Sequence, residues 1–165
     1  MLASASPQAW PPLPCWLEQL QPVPVESLLG GPAMLGRAGP GLEKILDVGR
    51  VGVAAEMVGG VREVFERTLE YLKLRDQFGV KIGSFQALQH RAATIFTEIE
   101  LVISAVRAAL VALEQENPDI ALLASLAKAK ANEVFVLVSN EGIQMYGGIG
   151  MTDDEEIGFF LKRAR

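Results

Sequence analysis

Residues 49–89 read GRVGVAAEMVGGVREVFERTLEYLKLRDQFGVKIGSFQALQ, and this stretch decides the class of fold. Around it, apolar residues and glycines recur in steps of three and four, which keeps one face of an α-helix toward a core. The pattern predicts a helix from Leu42 to about Leu74. Its predicted core face comprises Leu42, Ile45, Leu46, Gly49, Val53, Met57, Gly60 and Val64, joined near the end by Val61, Phe65, Leu69 and Leu72.

Four glycines inside this helix predict close packing, because each costs roughly 1 kcal/mol relative to alanine in a helix interior. They are Gly49, Gly52, Gly59 and Gly60. Either neighbouring helices or a bound ligand would explain the bare backbone.

Three further helices follow from the same spacing. RDQFGVKIGSF predicts a connecting loop, and a second helix with Ser84 as its N-cap runs to about Glu116. Asn117 and Pro118 predict the N-cap and first turn of a third helix, which Gly147 and Gly148 stop. Thr152 and Glu155 form a predicted capping box for a fourth. The sequence therefore predicts an all-α fold, an antiparallel four-helix bundle over residues 41–165.

The first 40 residues differ in composition from the rest. They hold eight of the nine prolines and both tryptophans. Because proline lacks a backbone donor and fixes its own φ, we expect an irregular Pro/Gly-rich segment over residues 1–40, with residues 25–40 as the tail of a β-domain at most.

Charge and composition exclude several kinds of partner. A net charge of -5 argues against nucleic acid, which needs a basic face. The single cysteine, Cys15, excludes an internal disulfide, and the single histidine, His90, leaves no Cys/His metal cluster. The sequence shows neither a secretory signal nor an apolar run long enough to span a bilayer, so we expect a cytoplasmic protein without a membrane span.

Two glycine-containing segments carry the functional prediction. RDQFGVKIGSFQ places a cation, amides and phenyl rings around a turn, which suits a ligand with phosphate and flat rings. QMYGGIG places an amide before a bare backbone that admits a planar or anionic group. A helix C-cap and a helix–helix loop explain these glycines equally well one at a time, whereas together they predict a shared site.

These two segments resemble the signatures of the acyl-CoA dehydrogenase carboxy-terminal domain. The resemblance covers residues 49–89 and the ending GIQMYGGIGMTDDEEIGFFLKRAR, and it extends over roughly Val25 to Arg165. It implies FAD as cofactor, α,β-dehydrogenation of an acyl-CoA thioester, and a homo- or hetero-oligomer in which this domain reaches the FAD of a neighbouring subunit.

The resemblance also implies roles for particular residues. Arg75 would face the FAD pyrophosphate with Gln77 and Phe78 beside it. Near the adenosine, the implied residues are Ile82, Phe85 and Gln86. On the other side of the cofactor they are Gln144, Gly147 and Gly148.

No catalytic base is assigned. The family's glutamate usually lies in a Tyr-Glu-Gly loop after the fourth helix, and the sequence ends at Arg165 before such a loop. In some relatives it precedes the arginine of the first long helix, where this chain has Gly49 before Arg50. Glu56 lies a turn or more away from that position.

Two interpretations remain open at this stage. One is an inactive fragment of an FAD-dependent dehydrogenase, completed by partner chains. The other is a non-catalytic helical subunit of a mixed complex. In both, a bundle without its usual neighbours should expose an apolar patch and associate either with itself or with a partner chain.

Overall fold

The computed structural model describes residues 32–165, with side chains from Gly41 onward. Helix α1 spans Pro32–Leu74, α2 Gln86–Glu114, α3 Ile120–Tyr146 and α4 Ile157–Ala164. Two short strands, β1 (Asp76–Gln77) and β2 (Val80–Lys81), form an antiparallel hairpin between α1 and α2. The contacts below belong to the compact unit Gly41–Arg165.

Helix α1 begins earlier than the sequence predicts. The structure places Pro32 at its first position, so the expectation of an irregular segment is wrong for residues 32–40. A proline is tolerated there because the first helical N–H groups have no intrahelical acceptor. The part of that expectation that covers residues 1–31 lies outside the described residues.

The three long helices run up, down and up. Gly60 of α1 faces the ring of Phe135 in α3, where an added Cβ would lie 3.1 Å from Cζ. Eleven residues further along both helices, Tyr71 lies against Tyr146, so α1 and α3 are parallel. Helix α2 is antiparallel to α3, since two ion pairs join them in opposite order: Arg91–Glu141 and Lys130–Glu98.

Helix α4 folds back along α1 and α3. Ile157 at its start is buried against Gly142, and Arg163 near its end bonds to Glu56 of α1 at 2.8 Å. Arg67 Nη1 donates to Glu156 at 2.6 Å just before α4 begins. The pKa of Arg67 is raised above its ordinary value, chiefly by its side-chain hydrogen bond to Glu63 and to a lesser extent by the one to Glu156. The predicted antiparallel four-helix bundle is confirmed.

The predicted core face of α1 is wrong in its first half. Leu42 and Ile45 are 51% and 69% exposed, whereas Val51 and Ala54 are fully buried. The apolar residues there lie on two sides of the helix, and the neighbouring helices cover only one of them. Of the four glycines, Gly60 has a close neighbour, and Gly49, Gly52 and Gly59 have none within 4 Å.

The three predicted helix caps are also wrong. Ser84 Oγ donates to the carbonyl of Lys81, and Phe85 is the N-cap of α2. Thr152 Oγ1 donates to the carbonyl of Ile149, and α4 begins only at Ile157. Asn117 accepts the N–H of Asp119 at 2.8 Å in the turn before α3, but the N-cap of α3 is Asp119, so Asn117 and Pro118 lie outside the helix. Local hydroxyl–carbonyl bonds compete with capping at such positions.

Candidate functional site

The β-hairpin after α1 presents Phe78 to solvent. Phe78 and Gly79 form its turn with φ values of 55° and 78°, and the Phe78 side chain is 90% exposed. Positive φ is unfavourable for a bulky residue, and exposure of a phenyl ring is unfavourable too. The Phe85 ring meets Phe78 edge-on at 6.1 Å between centroids. The hairpin therefore holds an apolar group outside the core at a cost in stability.

Arg75 lies at the base of this hairpin. Its N–H donates to Tyr71 and its carbonyl accepts from Ile82, both at 2.9 Å, so its backbone is fixed between α1 and the hairpin. The neighbouring acid, Asp76, is bound to Lys81 Nζ at 2.6 Å. Within residues 41–165 the exposed guanidinium of Arg75 makes no ion pair, so it is available to an anion.

The glycines after α3 give a bare, exposed backbone. Gly147 is the C-cap of α3, with φ 70° and ψ −143°, a conformation that glycine adopts readily. A Cβ on Gly147 or Gly148 would meet nothing within 4 Å. The side chain of Gln144, one turn before them, is exposed. A flat or anionic group could approach this backbone closely.

A pair of tyrosines brings the hairpin and the glycines to one end of the bundle. The rings of Tyr71 and Tyr146 stack at 4.1 Å between centroids, with 12° between their planes. Tyr71 Oη donates to the carbonyl of Tyr146 at 3.3 Å, and Tyr146 Oη donates to the carbonyl of Arg67 at 3.2 Å. The backbone carbonyl of Tyr71 also accepts the Arg75 N–H, and Tyr146 immediately precedes Gly147. We call the stacked and hydrogen-bonded pair of Tyr71 and Tyr146 the tyrosine clamp.

The clamp is the feature that sequence reasoning missed. Tyr71 and Tyr146 are the only two tyrosines in the chain. Tyr71 lies four residues before the start of the RDQFGVKIGSFQ segment, and Tyr146 lies inside the QMYGGIG segment. That coincidence was the available signal. Burial, more than the carboxylate of Glu155, raises the pKa of Tyr146 above its ordinary value, so its hydroxyl stays a donor well into the alkaline range.

The remaining predicted site residues differ in exposure. Gln77, Phe85 and Gln86 are exposed around the hairpin and the start of α2, whereas Ile82 is only 9% exposed and packs into the core. Gly83 lies so close to α1 that a Cβ would be 2.9 Å from the carbonyl oxygen of Leu72. Close packing of the 3₁₀ turn Ile82–Ser84 on α1 thus fixes the direction of the hairpin.

Glu56 lies away from this end of the bundle. It borders a groove of about 450 Å³ between α1, α3 and α4, and its carboxylate is paired with Arg163. His90, at the start of α2, is exposed. In the described part of the chain no group of three or more His, Cys, Asp or Glu side chains could hold a metal ion. None of the helices described has the length and hydropathy of a bilayer-spanning segment.

The fold and the site define a class: an all-helical bundle with a hairpin and a glycine pair at one end, suited to a ligand that carries phosphate and flat rings. Residues 41–165 match the family model described as acyl-CoA dehydrogenase, C-terminal domain. The chain belongs to the acyl-CoA dehydrogenase family.

Curated relatives and solved structures agree with this assignment. The short/branched chain specific acyl-CoA dehydrogenase of Rattus norvegicus, a mitochondrial protein, is 36% identical over 136 residues, which cover 81% of this chain and 31% of the relative. Acyl-CoA dehydrogenase IpdE2 of Mycobacterium tuberculosis is 39% identical over 120 residues, covering 73% and 36%. Butyryl-CoA dehydrogenase from Megasphaera elsdenii superposes with a TM-score of 0.73 at 29% identity, over 77% of this chain and 33% of that one. The chain thus spans about a third of the length of these relatives.

Proposed function

We propose that this chain supplies the cofactor-facing helical part of an FAD-dependent acyl-CoA dehydrogenase, which catalyses α,β-dehydrogenation of an acyl-CoA thioester. The observation that carries the proposal is the end of the bundle where the tyrosine clamp joins the hairpin to Gly147 and Gly148. Within residues 41–165, a guanidinium without an ion pair, an exposed phenyl ring and a bare backbone occur there together. Family membership supplies the chemistry.

The residues present fit an FAD molecule. A guanidinium matches the geometry of phosphate oxygens better than any other side chain, which suits Arg75 to the pyrophosphate. Phe78, with Gln77 beside it, offers an apolar surface to a flat ring. The exposed backbone of Gly147 and Gly148, with the Gln144 amide, allows close contact on the other side of the cofactor. When bound, the flavin would accept the hydride that leaves the β-carbon of the substrate.

The adenosine side of the proposal rests on Phe85 and Gln86. Both are exposed next to the hairpin, so both are accessible to a ligand. Ile82 is also proposed to lie near the adenosine, but its side chain is mostly buried in contacts with the core. We expect Ile82 to act mainly by holding the turn, with Phe85 making the larger contact.

The chain's contribution to proton abstraction is expected to be nil. Glu56 is bound to Arg163 at 2.8 Å, and this contact lies away from the proposed cofactor surface. Gly49 occupies the position before Arg50 where some relatives carry the base. The catalytic carboxylate of the proposed enzyme would therefore come from outside residues 41–165.

A second candidate function is a non-catalytic helical subunit of a mixed acyl-CoA dehydrogenase complex. The same two observations at Gly49 and Glu56 favour it. On either proposal the partners are acyl-CoA dehydrogenase-like chains, in a homo- or hetero-oligomer. The lone cysteine fits a reducing compartment, and we keep the cytoplasm as the proposed location, although the rat relative is mitochondrial.

Flavin retention distinguishes the two candidates. The chain would be purified alone and after mixing with a full-length acyl-CoA dehydrogenase, and bound flavin would be measured by absorbance and fluorescence anisotropy. The cofactor-facing proposal expects flavin to co-migrate with this chain in the mixture. Absence of flavin from this chain in both samples, with the partner still associated, would favour the non-catalytic subunit.

A further inference from the structure

The side chain of Arg67 joins α1 to α4. Its guanidinium donates to Glu63 of the same helix and to Glu156 immediately before α4, both at 2.6 Å. The guanidinium carbon also lies 5.6 Å from the centroid of the Phe160 ring in α4. Because the guanidinium is planar and carries several N–H donors in a fixed geometry, it can bind both carboxylates at once and so hold the start of α4 against α1.

The backbone of the same residue supports the tyrosine clamp. The Arg67 carbonyl accepts the hydroxyl of Tyr146 at 3.2 Å. Because a helical carbonyl accepts the N–H four residues later, it also serves Tyr71 within α1. Arg67 therefore lies at the base of the clamp as well as beside α4.

Two different groups of Arg67 thus hold the two ends of one loop. Residues 147–155, which we call the glycine loop, connect Tyr146 to Glu156. Tyr146 is bound to the Arg67 carbonyl, and Glu156 is bound to the Arg67 guanidinium. Fixing both ends of so short a loop at one residue removes much of its conformational freedom.

The middle of the glycine loop packs on the same tyrosine. Gly150 is buried, and a Cβ there would lie 2.8 Å from the Tyr146 Cβ. This close packing makes the middle of the loop follow the position of Tyr146. The exposed backbone of Gly147 and Gly148 lies between Tyr146 and Gly150, so its position depends on the same contacts.

We infer that Arg67 is a positioning residue for the proposed cofactor surface, because it holds the glycine loop where the backbone of Gly147 and Gly148 can meet a flat or anionic group. Arg67 does not touch that group and acts through Tyr146 and Glu156. The identity of the ligand, FAD, rests on the proposed function, whereas the order of the glycine loop is a property of this chain alone.

Hydrogen exchange measures the order of the glycine loop without flavin. Arg67→Met removes the guanidinium and keeps the helix and its carbonyl. We expect the hydrogen-bonded amides of Gly147 and Thr152 to exchange about three- to tenfold faster in this variant, a modest change because the pair with Glu156 is partly exposed. Glu156→Ala should have the same effect. Residues 76–81 of the hairpin should keep their wild-type rates, since no contact of the guanidinium reaches them.

Arg62→Met is the matched control. Arg62 is also an arginine of α1, but its side chain is 62% exposed and approaches Glu66 only to 3.9 Å. We expect wild-type exchange throughout the glycine loop of this variant. Unchanged exchange in Arg67→Met would overturn the inference, because other contacts would then order the loop. An equal rise in every helix would overturn it too, since it would show a general loss of stability.

FAD titration tests the link to the cofactor. In complexes assembled with a full-length relative, Arg67→Met should weaken FAD binding by about three- to tenfold. Arg67→Lys should weaken it less, because lysine keeps the positive charge but lacks the planar set of donors. Equal FAD affinities for the wild type and Arg67→Met, alongside faster exchange in the glycine loop, would rule out the positioning role. Failure of the wild-type complex to bind FAD would instead overturn the proposed function and the cofactor role with it, while hydrogen exchange would still decide whether Arg67 orders the loop.

Discussion

Arg75 shows how a single side chain becomes available for binding. The sequence places Asp76 next to it, and an Arg75–Asp76 pair would have left no free charge. In the structure Asp76 forms an ion pair with Lys81 instead, because the hairpin places these two residues opposite each other as strand partners. The guanidinium is thereby left to solvent, with its backbone fixed on both sides.

Substitution of Arg75 should weaken flavin binding. A charge-assisted contact to phosphate contributes about 1.5–3 kcal/mol, so Arg75→Ala should reduce FAD affinity by roughly ten- to a hundredfold. Arg75→Lys should lose only part of this affinity, since lysine keeps the positive charge but lacks the paired N–H donors of the guanidinium. FAD titration into complexes assembled with a full-length relative measures the effect.

Arg91→Ala serves as the control for that series. Arg91 is also an exposed arginine, but it pairs with Glu141 on the side of the bundle. Its removal should leave FAD affinity unchanged. Equal affinities for the wild type and Arg75→Ala would remove Arg75 from the site.

Gly83 and Gly59 should respond to alanine in opposite directions. A Cβ at Gly83 would lie 2.9 Å from a backbone oxygen of α1, so Gly83→Ala should lower the free energy of unfolding by about 1–3 kcal/mol. Gly59 lies in the interior of α1 with nothing within 4 Å, so Gly59→Ala should raise it by up to about 1 kcal/mol. Urea denaturation of the two variants and the wild type is the measurement. Stabilisation by Gly83→Ala would contradict the close packing of the hairpin turn on α1.

The parallel alignment of α1 with α3 organises the elements around the site. Gly60 admits the Phe135 ring near the middle of the two helices, and the tyrosine clamp joins their ends. Because the hairpin follows α1 directly and the glycine pair follows α3 directly, the clamp sets their relative position. A change at the clamp should therefore affect both segments at once.

Tyr146→Phe should destabilise the fold and alter its response to alkaline pH. Loss of the bond to Arg67 costs about 1 kcal/mol near neutral pH. Burial raises the pKa of Tyr146 above 10.0, so the folded chain holds the proton more tightly than the unfolded one. Its stabilising effect is present below pH 10.0 and is lost as pH rises through the raised pKa.

The difference between wild type and variant isolates this effect. Other groups that titrate at alkaline pH do so in both proteins. One of them is Lys130, whose pKa is raised chiefly by its bond to Glu98. The free energy of unfolding, measured by denaturation at a series of pH values from neutral to strongly alkaline, should therefore fall more steeply for the wild type than for the variant above pH 10.0. Parallel curves would show that Tyr146 is not protected by burial.

The chain studied alone should not dehydrogenate acyl-CoA at a useful rate. Proton abstraction needs a positioned carboxylate, and Glu56 is instead held by Arg163 on an exposed surface. Dye-coupled turnover with a range of acyl chain lengths is the assay, with a full-length relative as the positive control. Substantial turnover that Glu56→Gln abolishes would identify Glu56 as the base.

Local signals in the sequence determined the helices and the family. The three- and four-residue spacing predicted the end of α1 at Leu74 because helical periodicity persists to that residue, and Gly147 ended α3 because glycine readily adopts its positive φ. The RDQFG and QMYGG segments identified the family without any knowledge of their geometry. Their predicted roles toward FAD stay predictions.

Contacts between distant segments required the folded chain. Sequence periodicity could not choose between Leu42 or Ile45 and Val51 or Ala54 for the core, because both sets follow helical spacing and only the position of the neighbouring helices decides which is covered. The Tyr71–Tyr146 pair depends on the register of two helices separated by the whole of α2. The freedom of Arg75 likewise depends on the strand pairing that draws Asp76 to Lys81, since competition among charges is settled by distance in three dimensions.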